Sequence, residues 1–255
     1  MDALLESRQL HKTFTLGKNN VQTILKDVDI RIERGEFVSV MGPSGSGKST
    51  LLYNISGMDR MTSGSVVFNG QELSTLSEKE LAGLRLNKMG FIFQHIHLLK
   101  NLSVFDNIVM TAYLARERSR DLINQRALEL MAQTGIAELA DHSINQVSGG
   151  QLQRVGICRA LINGPEMIFG DEPTGALNSK SAGEIMGLLA DINRTGTTIL
   201  LVTHDVKVAA KTERVLFMID GQLVAEYEQG KYDEASDDIK AREERLNAWL
   251  VTMGF

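Results

Sequence analysis

Gly42-Pro43-Ser44-Gly45-Ser46-Gly47-Lys48-Ser49-Thr50 is the stretch on which the reading of this chain turns. It satisfies the phosphate-binding loop pattern G-x-x-x-x-G-K-[ST] at every fixed position. Phe37-Val38-Ser39-Val40-Met41 before it reads as a buried strand, and Leu51-Leu52-Tyr53-Asn54-Ile55 after it reads as the start of a helix. That order of strand, glycine loop and helix is what a chance match would lack. The glycines let the backbone curl so that successive N–H groups point inward, and the helix start adds partial positive charge. Lys48 is then placed to meet the β- and γ-phosphates, and the Ser49 hydroxyl to hold Mg²⁺. The bland alternative, a Gly/Ser-rich surface turn, leaves the Lys48-Ser49 pair and both flanks unexplained. The loop predicts binding of a nucleoside triphosphate.

Composition sets the bounds. The chain has 255 residues, enough to bury a substantial core, and 43% of them are hydrophobic, as in ordinary globular proteins. The net charge of −5 leaves no general basic surface for nucleic acid. A single cysteine, Cys158, excludes an internal disulfide and a multi-cysteine metal site, and it suits the cytosol. No apolar run approaches the roughly 18 residues needed to cross a bilayer. The N-terminus carries Asp2 and Glu6 where a signal peptide wants bases, so no secretion signal is expected. Any membrane role is expected to come through a partner.

Short β-like runs separated by turns fill the first 40 residues. Ile24 to Ile32 alternates with period two, and Arg34-Gly35-Glu36 is a turn. Phe14 lies ahead of that meander and, as a lone aromatic, reads first as core packing. Thr62 to Gly70 is a further strand closed by the hairpin marker Asn69-Gly70. A Leu-spaced segment over 73–86 predicts a surface helix, and Phe91-Ile92-Phe93 a short strand ending at Gln94. From His95 the texture becomes helical. Asp121 to Thr134 carries Leu122, Leu128 and Met131 at helical spacing with Gly135 as C-cap, and Ser148 opens a second helix through Ile162. Met167-Ile168-Phe169 is a strand running into Asp171-Glu172. Ile185, Leu188, Leu189 and Ile192 predict an amphipathic helix, Thr197 to Thr203 a strand, and Val215 to Ile219 another, closed by Asp220-Gly221. This alternation argues an α/β fold with a mainly parallel sheet, interrupted by a mostly helical insert over 95–162. The acidic tail ends in a helix with Leu246, Trp249, Leu250 and Met253 on one face and an Asp238–Arg242 pair. Docking of that helix on its own domain is the main expectation, with a partner-facing role the minority one.

A phosphate loop by itself hydrolyses nothing. Phosphoryl transfer needs charge stabilisation around the metal and a positioned water. Asp171-Glu172 at the end of an apolar strand supplies two carboxylates, one for the metal and one to polarise water. His204 ends another strand, where the ligand crevices of α/β sheets lie. Ser148-Gly149-Gly150-Gln151 is a second glycine-rich helix start, an anion site by the same physics as the first. Spacing alone leaves open whether both grip one nucleotide.

Together these residues resemble the ATP-binding cassette (ABC) ATPases over nearly the whole chain. Gly42–Ser49 resembles their Walker A, Gln94 the Q-loop glutamine, and Val147–Gln151 the LSGGQ signature with Val for Leu. Ile168–Glu172 resembles Walker B with the catalytic glutamate, and His204 the switch histidine. The resemblance implies a P-loop NTPase (RecA-like) core over 1–94 and 163–232 with an antiparallel β subdomain and an inserted helical subdomain over 95–162, forming an ABC ATPase domain over 1–232 followed by a C-terminal amphipathic tail over 233–255. It implies a head-to-tail dimer in which each ATP lies between the loop of one copy, Gly42, Pro43, Ser44, Gly45, Ser46, Gly47, Lys48, Ser49 and Thr50, and the Ser148, Gly149, Gly150 and Gln151 grip of the other. Phe14 would stack on adenine. Asp171, Ser49 and Gln94 would hold Mg²⁺, Glu172 would act as base, Lys48 would stabilise the transferring phosphate, and His204 would contact the γ-phosphate. Asn178 stands where the family usually carries Asp, keeping the hydrogen-bonding shape without the charge.

Gly90–Gln94, Leu98–Val104 and Asp171–Leu177 resemble the subgroup of macrolide-efflux (MacB), lipoprotein-release (LolD) and bacitracin-type (BceA) antimicrobial-peptide ATPases. Asn178–Ala182 and the Ala248–Phe255 tail lean towards the last. The resemblance implies an ATPase subunit that drives a separate permease from the cytoplasmic face of a bacterial membrane, for export or antimicrobial-peptide resistance, and the net acidity argues against a nucleic-acid partner. The rival reading is a non-transport ABC ATPase such as a cell-division regulator. A small-molecule kinase would leave the signature and His204 unexplained.

Overall fold

The computed structural model describes residues 3–17, 20–233 and 238–255. In chain order, β1 (Ala3–Leu16), β2 (Asn20–Glu33) and β3 (Phe37–Met41) precede α1 (Lys48–Ile55). Next come β4 (Ser63–Phe68), β5 (Gln71–Glu72), α2 (Glu78–Lys88) and β6 (Met89–Phe93). Three helices follow, α3 (Val104–Ala115), α4 (Arg120–Gln133) and α5 (Gly149–Leu161). The chain then runs through β7 (Met167–Asp171), α6 (Ser179–Arg194), β8 (Thr198–Val202) and the short α7 (Val206–Ala209). It closes with β9 (Arg214–Ile219), β10 (Gln222–Glu228) and α8 (Ile239–Thr252).

Strands inside a parallel sheet are covered on both faces and are therefore apolar at nearly every position. Every residue of β3 and β8 is buried. They lie together in a six-stranded sheet of order β10-β9-β3-β8-β7-β6, parallel except for β10 at one edge. Alternation along the strands sorts side chains into two cores. Val38, Val40, Phe169, Leu200 and Val202 join Leu51 and Leu52 of α1. Ile168, Ile199 and Leu201 join the helices α3 to α6. Parallel pairing also brings the ends of β3, β6, β7 and β8 to one edge, which is where such sheets place their ligand crevice. The loop after Met41, Gln94, Glu172 and Thr203-His204 all emerge there.

The antiparallel sheet runs β2-β1-β4-β5. Asn69 and Gly70 have φ of 48° and 76°, the left-handed pair a tight type I′ hairpin requires. Asp220 and Gly221, at 46° and 82°, make the same turn into β10. The sequence reading did not anticipate β10, a half-exposed edge strand.

The helices correct several expectations. The segment over 73–86 is not one helix: a 3₁₀ turn at Leu73–Thr75 precedes α2, which Ser77 and Glu80 start with a reciprocal capping box. Helix α1 begins at Lys48 rather than Leu51, so the end of the glycine loop is already its first turn. On α4 the buried face is Ile123, Ala127, Leu130 and Met131, while Leu122 and Leu128 point to solvent. Helix α3, not singled out from sequence, is capped by Ser103, whose hydroxyl accepts from the Asp106 amide at 3.0 Å. In α6, Ile185, Leu189 and Ile192 are buried as expected, with Leu188 at the margin.

Helix α8 packs on its own domain. Leu246 and Leu250 are buried against Met41, Val215 and Phe217, and Trp249 stacks on Tyr227 at 5.2 Å between ring centroids. Among the described residues the expected Asp238–Arg242 ion pair is not made, and the two residues take separate roles. Asp238 caps the helix by accepting from the Lys240 and Ala241 amides. Arg242, buried, donates to the carbonyls of Ala210, Thr212, Gln229 and Gly230.

Candidate active site

The loop between β3 and α1 closes around Lys48. Its Nζ donates to the carbonyls of Gly42 and Pro43, both at 2.8 Å, so the ammonium lies inside the curl. Burial pushes its pKa down, and the neighbouring Glu172 and Asp171 carboxylates oppose that shift. A methyl group on Gly42 would fall 2.0 Å from the Met218 carbonyl, so no larger residue fits there. Gly47, at φ 103°, caps α1 without a side-chain bond, and the first turn carries no acid. Its amides are therefore free for an anion. Inside the loop the Ser46 hydroxyl is buried without a partner among the described residues, a donor that a phosphate oxygen would satisfy.

Ser49, in the first turn of α1, faces the end of β7. Its Oγ donates to Asp171 Oδ1 at 2.9 Å, and Tyr53, one helical turn later, donates its hydroxyl to Oδ2 at 3.0 Å. Burial first, and Asp171 second, push the Tyr53 phenol pKa up. The Gln94 amide donates to the Asp171 carbonyl at 2.9 Å, which ties the end of β6 to β7. Glu172 sits at φ 47°, unusual for a side-chain-bearing residue, and its amide donates to the Val202 carbonyl at 2.9 Å. That backbone carries the carboxylate towards β8, where Glu172 Oε1 lies 2.9 Å from His204 Nδ1. A methyl group built on Gly175 would lie 2.9 Å from Gln94 Nε2 and 3.3 Å from Glu172 Oε2, so both side chains border the space that this glycine leaves open.

These contacts bring Lys48, Ser49, Gln94, Asp171, Glu172 and His204 to one edge. Among the described residues no hydrogen bond or ion pair joins them to Ser148–Gln151. Ser148 instead caps α5, its hydroxyl accepting from the Gln151 amide at 3.4 Å while Gln151 Oε1 accepts from the Ser148 amide at 2.8 Å. The exposed start of α5 abuts the segment after Glu172. Methyl groups built on Gly149 and Gly150 would lie 3.7 Å from Leu177 and 3.3 Å from Ser181. Asn178 caps α6 by accepting from the Ser181 amide at 2.9 Å. Phe14 lies on β1, 41% exposed, with Lys12 Nζ 4.7 Å from its ring centroid. None of its described contacts reaches the Gly42–Thr50 loop. Sequence reasoning missed Tyr53 and Gly175; the i, i+4 spacing from Ser49 was the one available signal for Tyr53.

Mg²⁺ binds through one or two carboxylates, phosphate oxygens and water rather than through an all-protein cage. Ser49 and Asp171 supply a donor set of that kind. The described residues hold no cluster of three or more His, Cys, Asp or Glu side chains that would make a self-sufficient metal centre.

Fold and site define an α/β protein with a phosphate-binding loop for a nucleoside triphosphate. The family model described as ABC transporter matches residues 25–175, more than half the chain, and the chain belongs to that family. It is 43% identical over 229 residues to the bacitracin export ATP-binding protein BceA of Halalkalibacterium halodurans, covering 89% of this chain and 90% of that protein. It is 42% identical over 257 residues to the macrolide export ATP-binding/permease protein MacB of Hahella chejuensis, covering 98% of this chain but 39% of that one. A solved dimeric ATP-binding cassette in a post-hydrolysis state, bound to ADP and Pi, superposes with a TM-score of 0.82 at 38% identity over 89% of this chain and all of that one. Among the described residues no helix is long and apolar enough to cross a membrane.

Proposed function

We propose that this chain is the ATP-hydrolysing subunit of a bacterial ABC transporter, working as a head-to-tail pair that drives a separate permease. The observation that carries the reading is Glu172 Oε1 at 2.9 Å from His204 Nδ1, beside the Ser49–Asp171 contact at the ends of adjacent parallel strands. Two carboxylates thus have different partners and take different tasks. Asp171, held by hydroxyls, faces the metal position with Ser49 and Gln94. Glu172 is aimed away from it and accepts the proton of the attacking water. His204 orients Glu172 and turns towards the γ-phosphate, and Lys48 leaves its two carbonyls for the β- and γ-phosphates. Bound Mg²⁺ would neutralise charge on the phosphate oxygens.

The exposed Ser148–Gln151 start of α5 makes no described contact with its own chain's site, which supports its use by a second copy. The dimeric form of the solved relative supports the same arrangement. Phe14, exposed, stacks on adenine. Residues 1–232 form the ATPase domain, with the insert over 95–162 carrying the signature, and α8 of the 233–255 tail braces it. The BceA relative is named as an ATP-binding protein, whereas the MacB relatives are named as ATP-binding/permease proteins. We therefore place this chain at the cytoplasmic face of the membrane, held by a separate permease, in export or antimicrobial-peptide resistance. Glu172→Gln tests the mechanism. It is expected to bind ATP normally, to lower turnover on the order of 10²–10⁴-fold, and to elute as an ATP-dependent dimer on size exclusion. Unchanged turnover would refute it.

A further inference from the structure

Asp171 carries two donors, one for each oxygen: Ser49 Oγ at 2.9 Å and the Tyr53 hydroxyl at 3.0 Å. The terminal torsion of an aspartate is soft, and a single donor leaves the carboxylate plane free to rotate. Two donors one turn apart on the same helix fix that plane. The anchoring is firm at the tyrosine end. The Tyr53 ring packs against the core shared by α1 and the two sheets, and its carbonyl accepts from the amides of Met58 and Asp59. Ser49 stands at the mouth of the glycine loop and is exposed, so its hydroxyl is the donor of the pair that is free to turn to a ligand. Once it turns, the Tyr53 hydroxyl is what still holds the carboxylate.

We propose that Tyr53 is a positioning residue for Asp171, holding Oδ2 so that Oδ1 stays beside Ser49 Oγ at the point where the divalent cation of a bound nucleotide is received. This rests on the metal role proposed above for Ser49 and Asp171. Tyr53 touches neither nucleotide nor cation; it acts through the carboxylate. Residues that orient metal-binding carboxylates typically change metal affinity by about 10–100-fold when removed.

The test uses the full chain with ADP and Mn²⁺ as the probe, read by electron paramagnetic resonance of free and bound Mn²⁺. Tyr53→Phe keeps the ring and removes only the hydroxyl. Its Mn²⁺ dissociation constant in the presence of ADP is expected to rise about tenfold, while ADP affinity in EDTA stays within about twofold of the parent. A merely structural role predicts the reverse, a loss of metal-free ADP binding with Mn²⁺ affinity following it. Asp171→Asn separates the two layers. If Asp171→Asn weakens Mn²⁺ binding and Tyr53→Phe does not, the positioning role is overturned and the metal role survives. If neither changes Mn²⁺ binding, the metal role of Asp171 fails and the positioning role fails with it.

Discussion

Gly175→Ala isolates catalysis from folding. The added methyl would lie 2.9 Å from Gln94 Nε2, 3.2 Å from Gln94 Cδ and 3.3 Å from Glu172 Oε2. Reaching an ordinary contact of 3.4 Å moves the Gln94 amide by about half an ångström and Glu172 by less. Gly175 has no left-handed backbone, so alanine adopts its conformation without strain. The displaced atoms are the ends of flexible side chains, and an off-rotamer adjustment costs about 0.5–1.5 kcal/mol. Stability should therefore fall by about 1 kcal/mol, a shift in Tm of roughly 2–4 °C. Catalysis is less forgiving, since a misplacement of about 1 Å costs about 10²-fold. Half of that displacement predicts a drop in kcat of about tenfold, with KM for ATP within about twofold because the phosphate grip at Lys48 is untouched. Steady-state phosphate release across an ATP series gives both constants, and a melting curve gives the third quantity. An unchanged kcat, or a loss of folding in place of activity, would refute the contact argument.

Two further outcomes test the rest of the structure. Arg242→Met leaves the carbonyls of Ala210, Thr212, Gln229 and Gly230 without the guanidinium they share, at a cost of about 3 kcal/mol, seen as a fall in Tm of roughly 6–12 °C by calorimetry; a shift under about 2 °C would show that α8 is not braced through this residue. Cys158 is fully buried, and burial pushes its thiol up to about 11. The thiolate is then scarce at pH 8, and a thiol reagent should label the native chain negligibly and the denatured chain completely; prompt native labelling would contradict the packing around α5.

The sequence disclosed what depends on neighbours along the chain. Strand β3, the glycine loop and the start of α5 were legible because their signals are local: an apolar run, fixed glycines, a serine three residues before a glutamine. The Glu172 and His204 positions followed because strand ends in parallel sheets converge. Tyr53 was illegible for the opposite reason. It reads as one more half-apolar helix residue, and its partner Asp171 is 118 positions away. Glu172 gave no sign of its left-handed backbone, which a hydrogen bond from its amide to Val202 on the adjoining strand accompanies. The buried face of α4 is not legible in its spacing because Leu122 and Leu128 are apolar yet face solvent, and periodicity by itself does not say which apolar stripe finds a core. Strand β10 escaped because an edge strand needs only half an apolar pattern.

The short stretch from Glu172 to Ser181 touches Gln94 at one end and the glycines that open α5 at the other. In the head-to-tail pair proposed above, those two ends would belong to different nucleotides: the first to the one this chain holds in its loop, the second to the one its partner holds. Fewer than a dozen residues of one backbone would then separate the two sites. Two such chains, paired in that way, would close a circuit. Such a pair would keep a common clock, and counting phosphate released by one site without reference to the other would then describe neither.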